Sequence, residues 1–313
     1  MLDYPAKLIP SCKDYIWGGT LLKDRYNKGA HLDKVAEAWE MSCHPNGLSV
    51  IANGPQKGVA LSDAVCDDGS FPLLVKLIDA QSKLSVQVHP DDEYAANLAG
   101  RGKTEMWYIL DAEPGAEIVY GFCDNMTPEA VKEHILSERL EQLLNYIPVC
   151  KGDVIHIPAG TVHAIGSGIL ILEIQQSSDL TFRLYDYGRV GADGKPRPLH
   201  IEQALDVLDY AKARFLPSNH QKKTKNGLTY MLVDSCEYFT VYKLILNGKW
   251  NYPRFDQWKG ITVIQGGGEI NWIKDSKPNS LEICEGDTVY LPFGLNCCFE
   301  GQLSAVLYGS DWY

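Results

Sequence analysis

The stretch Gly152-Asp-Val-Ile-His-Ile-Pro158-Ala-Gly160-Thr-Val-His163 returns in the second half of the chain as Gly286-Asp-Thr-Val-Tyr-Leu-Pro292-Phe-Gly294-Leu-Asn-Cys297. Each copy reads as a turn at Gly-Asp, a short strand, and a Pro/Gly corner into the next strand. A unit that recurs at this distance implies two related β-domains. The rest of the chain agrees with that reading. Runs such as Phe71–Ile78, Lys83–His89, Glu105–Leu110, Asp153–Ile157 and Ile169–Ile174 are short, rich in branched and aromatic residues, and separated by Gly, Pro, Asp and Asn. This spacing points to an all-β-dominated sandwich or jelly roll, not to βαβ units.

Helical signals are few. Residues 127–144 open with Thr127 as an N-cap and Pro128 at the first helical position, and Val131, Ile135, Leu136, Leu140, Leu143 and Leu144 share a 3.6-residue face. A second helix is expected over residues 200–214. The polar, turn-rich segment 216–227 is read as a linker, dividing the chain into domains 1–215 and 228–313.

With 313 residues and 45% hydrophobic content the chain has ample material for two cores. Its charge of −11, from 29 bases against 40 acids, argues against nucleic acid or an anionic membrane as a partner. Nine cysteines, an odd number without a C-x-x-C pair, read as a reduced cytoplasmic chain, and neither a signal-peptide core nor an 18-residue apolar run occurs.

The segment Ser85-Val-Gln87-Val-His89 alternates, so one strand face carries Ser85, Gln87 and His89. If Glu105 opens the next strand and His163 follows the Pro158/Gly160 corner, an antiparallel roll brings Gln87, His89, Glu105 and His163 together. An amide oxygen, two imidazoles and a carboxylate form an open N/O site of the kind that suits Zn²⁺. A histidine on a strand face is also commonly a hydrogen-bonded wall residue, so spacing leaves both readings standing.

Residues 152–163 match the second cupin motif, G-x5-P-x-G-x2-H, although Ser167 stands where Asn often closes it, and Q-x-H replaces the usual H-x-H of the first motif. Seven blocks extend the likeness in order: 15–19, 36–47, 73–80, 84–92, 102–108, 157–164 and 178–189. Together they resemble the type I phosphomannose isomerases, in the short form that lacks a large helical insertion. The resemblance implies a fold of two cupin/jelly-roll domains with a few helices inserted. The first would be catalytic, with a helical insert at about 127–145, and the second degenerate.

The resemblance also implies one Zn²⁺ per chain on Gln87, His89, Glu105 and His163, and interconversion of mannose 6-phosphate and fructose 6-phosphate through an enediol(ate). Lys103 and Arg183 match active-site positions, and Ser85 and Glu173 match pocket positions. Lys103 and Glu173 are rival bases; a lysine takes that role when neighbouring cations favour its neutral form. Arg183 suits an enediolate or a phosphate. The implied partner is a sugar phosphate, for a monomer or homodimer.

Trp17, Gly18, Gly19, His44, Pro45 and His156 are read as structural. The second repeat has Cys297 where the first has His163, and Lys259 falls opposite Glu105, so a second site of this kind is not expected. Two other classes remain: a non-catalytic cupin that binds a sugar or metal, and a metal oxygenase. Lys103 and Arg183 together with all four ligands argue against the first, and Gln87 in place of a histidine against the second.

Overall fold

The computed structural model describes residues 2–65, 69–191, 194–215, 221–225 and 227–309. Of the linker read at 216–227, residues 216–220 and 226 lie outside the described residues, as does Cys66. The described residues form mostly antiparallel strands in three sheets. A six-stranded sheet runs Val154–Ile157, Glu105–Ala112, Ile169–Gln176, Leu73–Ala80, Glu37–Met41, Ser11–Lys13. A five-stranded sheet runs Phe182–Tyr185, Val86–Val88, His163–Ala164, Glu117–Phe122, Leu144–Pro148. A nine-stranded sheet holds the strands after Lys223 together with Ala6–Ile9 and Val50–Ile51, since Ala6 and Lys7 pair with Tyr290 and Val289.

The six-stranded sheet is the middle layer. Its residues Ile78, Trp107, Ile109 and Ile171 pack toward the five-stranded sheet, while Val75, Leu77, Met106, Tyr108, Leu172 and Ile174 pack on Met231, Val233, Phe239, Val241 and Tyr308 of the nine-stranded sheet. Burial on both faces is why Leu73–Ala80 and Ile169–Gln176 are continuous apolar runs without alternation. The outer face of the five-stranded sheet is covered by Val131, Ile135, Leu140, Ala204 and Leu208.

The two copies of the repeat superpose in their hydrogen bonds. Asp153 Oδ2 accepts from Cys150 N at 2.7 Å and Asp287 Oδ2 from Cys284 N at 2.8 Å. Gly152 and Gly286, at φ 96° and 89°, donate to Ile109 O and Val263 O, each at 2.8 Å. A residue with a Cβ strains at such φ values, which accounts for glycine at both turns. The register that follows pairs Ile157 with Glu105 in the first copy and Leu291 with Lys259 in the second. Lys259 thus occupies the place of Glu105, and Cys297, buried in its own core, that of His163.

Both helices are shorter than the sequence pattern predicts. Thr127 caps the first by accepting from Ala130 N, but the helix covers Pro128–Leu136 only. The Ser137 hydroxyl bonds back to Glu133 O, and Glu138 turns left-handed at φ 56°. Leu140–Leu143 then form a 3₁₀ turn and Leu144 begins a strand. Leu140 and Leu144 still reach the core in that geometry, whereas Leu136 is 69% exposed. The second helix covers Ile201–Val207. Beyond it Asp209 N bonds Gly160 O and Ala213 N bonds Phe122 O, so tertiary hydrogen bonds replace the helical ones.

Lys28 and Glu40 form a fully buried ion pair at 3.0 Å, in which burial pushes the Glu40 carboxyl up against the lowering effect of Lys28. Thr288 of the nine-stranded sheet works in the same direction as Lys28, favouring the carboxylate. Removing one partner leaves a buried charge uncompensated, so Lys28→Met is expected to destabilise the fold by about 3–5 kcal/mol. Lys28→Met with Glu40→Leu should recover most of that loss in the thermal midpoint; no recovery would mean that packing, not the charge, is what Lys28 supplies.

Candidate active site

Three neighbouring strands aim the polar face foreseen in Ser85–His89 into one cavity. Gln87 stands directly across from His163 on one side and Arg183 on the other. The facing wall comes from the six-stranded sheet, where Trp39, Lys76, Glu173 and Trp107 lie in a row across four strands. Glu105, two residues before Trp107, shares that face. The cavity holds about 660 Å³ and is lined by Ser85, Gln87, Lys103, Glu105, Glu173 and Arg183, with Lys13, Glu37, Trp39, Lys76 and Arg197. Six of the eight residues singled out from the sequence line the cavity, and His89 and His163, 1% exposed, lie within ion-pair distance of Glu105 in its wall.

Among the described residues His89, Glu105 and His163 are grouped so that one donor atom of each lies within 4.8 Å of the others. His89 Nδ1 faces Leu180 O at 2.8 Å and His163 Nδ1 faces Thr161 O at 2.9 Å. A carbonyl accepts only from N–H, so both rings carry the proton on Nδ1 and present an Nε2 lone pair inward. These lone pairs lie 3.5 and 3.4 Å from the two Glu105 oxygens. Donors held tetrahedrally by one ion at about 2.0–2.1 Å stand roughly 3.3–3.4 Å apart, so this spacing fits a metal. Gln87 Nε2 lies 3.4 Å from His163 Nε2, and a half-turn of the amide places Oε1 there as a fourth donor.

Charge in the inner part of the cavity favours a cation. Burial, then Lys103, pushes His89 well below its ordinary range, and burial brings His163 to about 4, so both imidazoles are neutral. Glu105 Oε2 and Glu173 Oε1 are buried and accept no well-directed hydrogen bond, although Lys103 Nζ stands 2.9 and 3.6 Å away. Burial, then the Glu105 charge, raises the Glu173 carboxyl. Lys103 Nζ also lies 3.0 Å from His89 Nε2. Lys76, 3.7 Å from Glu37 and 3.8 Å from Glu173, completes a cluster of three carboxylates and two lysines. A divalent ion on His89, Glu105 and His163 would reverse its sign.

The other end of the cavity is positive. Arg183 Nε donates to Ser85 Oγ at 3.2 Å and its Nη1 to Pro198 O at 2.9 Å. Arg197 makes a two-pronged contact with Asp186 at 2.8 and 2.6 Å, and Arg189 reaches the same carboxylate. Burial would raise Asp186, but hydrogen bonds from Arg197 and Arg189 hold it below its ordinary value. Burial, then Arg197, lowers Arg183. Two guanidiniums share the Asp186 carboxylate and Arg183 stands on the same wall, an excess of positive charge that Asp179, also in the lining, offsets in part.

Residues 6–122 match the family described as "Phosphomannose isomerase type I, catalytic domain". The mannose-6-phosphate isomerase of Streptococcus mutans is 40% identical over 82% of this chain and 83% of that protein. The ManA mannose-6-phosphate isomerase of Bacillus subtilis is 38% identical over 94% of this chain and 95% of its own length. The chain belongs to the type I phosphomannose isomerases. It is accordingly an isomerase, and its fold matches the crystal structure of the mannose 6-phosphate isomerase from B. subtilis with a TM-score of 0.88 at 34% identity, covering 97% of this chain and 99% of that one.

Sequence reading passed over Lys76, Glu37, Trp39, Lys13 and Arg197. A signal existed for the first three. Lys76 interrupts the otherwise apolar Leu73–Ile78, and Glu37 and Trp39 alternate as Gln87 and His89 do. Glu37 accepts from Trp39 Nε1 at 2.7 Å, holding the indole under Lys76 Nζ, 5.2 Å from the ring centroid.

Of the residues read as structural, Trp17 lines the cavity, while Gly18 and His156 serve the fold. A Cβ on Gly18 would lie 2.4 Å from Ala36 Cβ, and His156 Nδ1 pairs with Asp234 of the nine-stranded sheet at 2.8 Å. Among the described residues no helix is long and apolar enough to cross a membrane.

Proposed function

We propose that the chain interconverts mannose 6-phosphate and fructose 6-phosphate, with one Zn²⁺ on Gln87, His89, Glu105 and His163. The observation that carries this reading is the polarity of the cavity. Its inner end offers converging neutral imidazoles and carboxylates for a cation. It also carries Arg183, which is bound to Ser85 and to no carboxylate, beside Arg197, which shares Asp186 with Arg189, a positive wall for a dianion. A phosphosugar laid between them puts phosphate at Arg183 and Arg197 and C1 and C2 beside Lys103 and Glu173. When bound, the Zn²⁺ supplies Lewis-acid stabilisation of the negative charge that gathers on the carbonyl oxygen.

The protein's own groups do the rest. Lys103 and Glu173, 3.6 Å apart, act as one proton-carrying unit between C1 and C2, giving an enediol(ate) intermediate. Arg183, steadied by Ser85, orients the substrate and offsets its charge. Trp17, Trp39 and Trp107 line the cavity and restrict water around the reacting carbons. A sugar-binding cupin without turnover has no use for a lysine–carboxylate pair placed beside the cation site.

A coupled assay with mannose 6-phosphate, run beside glucose 6-phosphate, tests the reading. Turnover of the first and not the second is expected. Binding of either sugar phosphate without any turnover would establish the non-catalytic alternative.

A further inference from the structure

Glu105 and Lys103 are placed by the three residues that lead into their strand, and the amides of those residues are all held from outside it. Gly102 N donates to Asp92 Oδ1 at 2.8 Å, Lys103 N to Pro90 O at 3.0 Å, and Thr104 N to Gln176 Oε1 at 2.7 Å. Two of the three acceptors, Pro90 and Asp92, belong to the segment that follows His89 and opens the helix Asp92–Ala96. The third lies one residue past the end of the ladder in which Gln175 pairs with Glu105. There the Gln176 backbone donates to Thr104 O at 3.1 Å, and its side chain takes the Thr104 amide.

Gln176 is 6% exposed and its amide has a defined polarity. Nε2 donates to both Asp92 oxygens at 3.2 Å, so Oε1 has to face Thr104. Tyr238, from the turn before the strand Thr240–Asn251, donates its hydroxyl to Asp92 Oδ2 at 2.9 Å. The approach is close enough that a Cβ on Gly102 would stand 2.5 Å from Asp92 N.

The geometry points to Gln176 as a positioning residue for the reaction: oriented by Asp92, and backed by Tyr238, it sets where Lys103 and Glu105 stand against His89. This rests on the role assigned above to Lys103 and goes beyond it, because it gives the C-terminal part of the chain a share in turnover. Misplacing a reacting group by about 1 Å costs up to 10²-fold in rate, whereas ground-state binding by Arg183 and Arg197, which are held by other partners, is untouched.

Four variants test it at pH 8. Gln176→Glu keeps an acceptor for Thr104 but sets a carboxylate against Asp92, and kcat is expected to fall about tenfold with KM and metal content within twofold of wild type. Asp92→Asn combined with Gln176→Glu restores a donor facing an acceptor and should recover most of kcat. Tyr238→Phe should lower kcat a few-fold. Gln176→Leu should raise deuterium uptake of the 102–105 segment at least tenfold while the rest of the chain is unchanged. An unchanged kcat in Gln176→Glu, no recovery in the double variant, or unchanged exchange in Gln176→Leu would overturn the proposal. Full turnover by Lys103→Met would instead remove the role of Lys103, and the exchange measurement would still decide the anchor.

Discussion

Dialysis against a strong chelator should abolish turnover of mannose 6-phosphate, and about one equivalent of Zn²⁺ per chain should restore it. Both histidines are locked as Nε2 acceptors by Leu180 and Thr161, and burial keeps them neutral. Protons therefore offer weak competition for these nitrogens near neutral pH. Glu105 brings a buried oxygen without a well-directed donor. Loss of Lewis-acid stabilisation worth several kcal/mol removes roughly 10³-fold or more in rate, at 1.36 kcal/mol per decade. His163→Ala should bind less metal by elemental analysis and fall with it in activity. Turnover that persists in demonstrably metal-free protein would refute the assignment of all four ligands at once.

Arg183→Ala should lower kcat/KM by about 10²-fold or more with the metal content intact, the scale expected when a charged group facing developing or fixed negative charge is lost. The side chain is anchored at Ser85 and Pro198, and its backbone is held by His200, whose N donates to Arg183 O at 2.8 Å. Removal of the guanidinium thus subtracts a preorganised charge without loosening the strand. Arg183→Lys is expected to recover only a fraction, because an ammonium lacks the planar fork that grips an oxyanion in two places. Metal loss in Arg183→Ala would show that the residue acts through the structure of the site, and full activity would remove it from the mechanism.

The repeat at Gly152 and Gly286 was legible because turn chemistry is local: a left-handed glycine and an aspartate that caps its own turn leave the same trace wherever they occur. Period-2 alternation likewise exposed Ser85, Gln87 and His89 as one face. The same argument applied to Glu37, Trp39 and Lys76, yet their strands are buried on both sides and present no polar face to contrast with an apolar one. Helix length was over-read at residues 127–144 and 200–214, where an apolar 3.6-residue period persists after the backbone has left the helix. There Ser137, Glu138 and the bonds to Gly160 and Phe122 outweigh it. Arg197 carries no local signal, because its importance comes from sharing Asp186 with Arg189 beside Arg183.

By itself the sequence determined the strand-and-corner grammar of a repeated β-roll, the face on which Ser85, Gln87 and His89 fall, and the absence of a second histidine set after His220. Only the tertiary structure decided that two sheets bring an electron-rich pocket and an arginine cluster into one cavity. It alone also decided that Tyr238 reaches Asp92 beside the segment carrying Lys103. The difference is physical: side-chain alternation and turn conformation follow from the covalent chain within a few residues. Register between distant strands, and the burial that shifts each charge, arise only when all three layers pack.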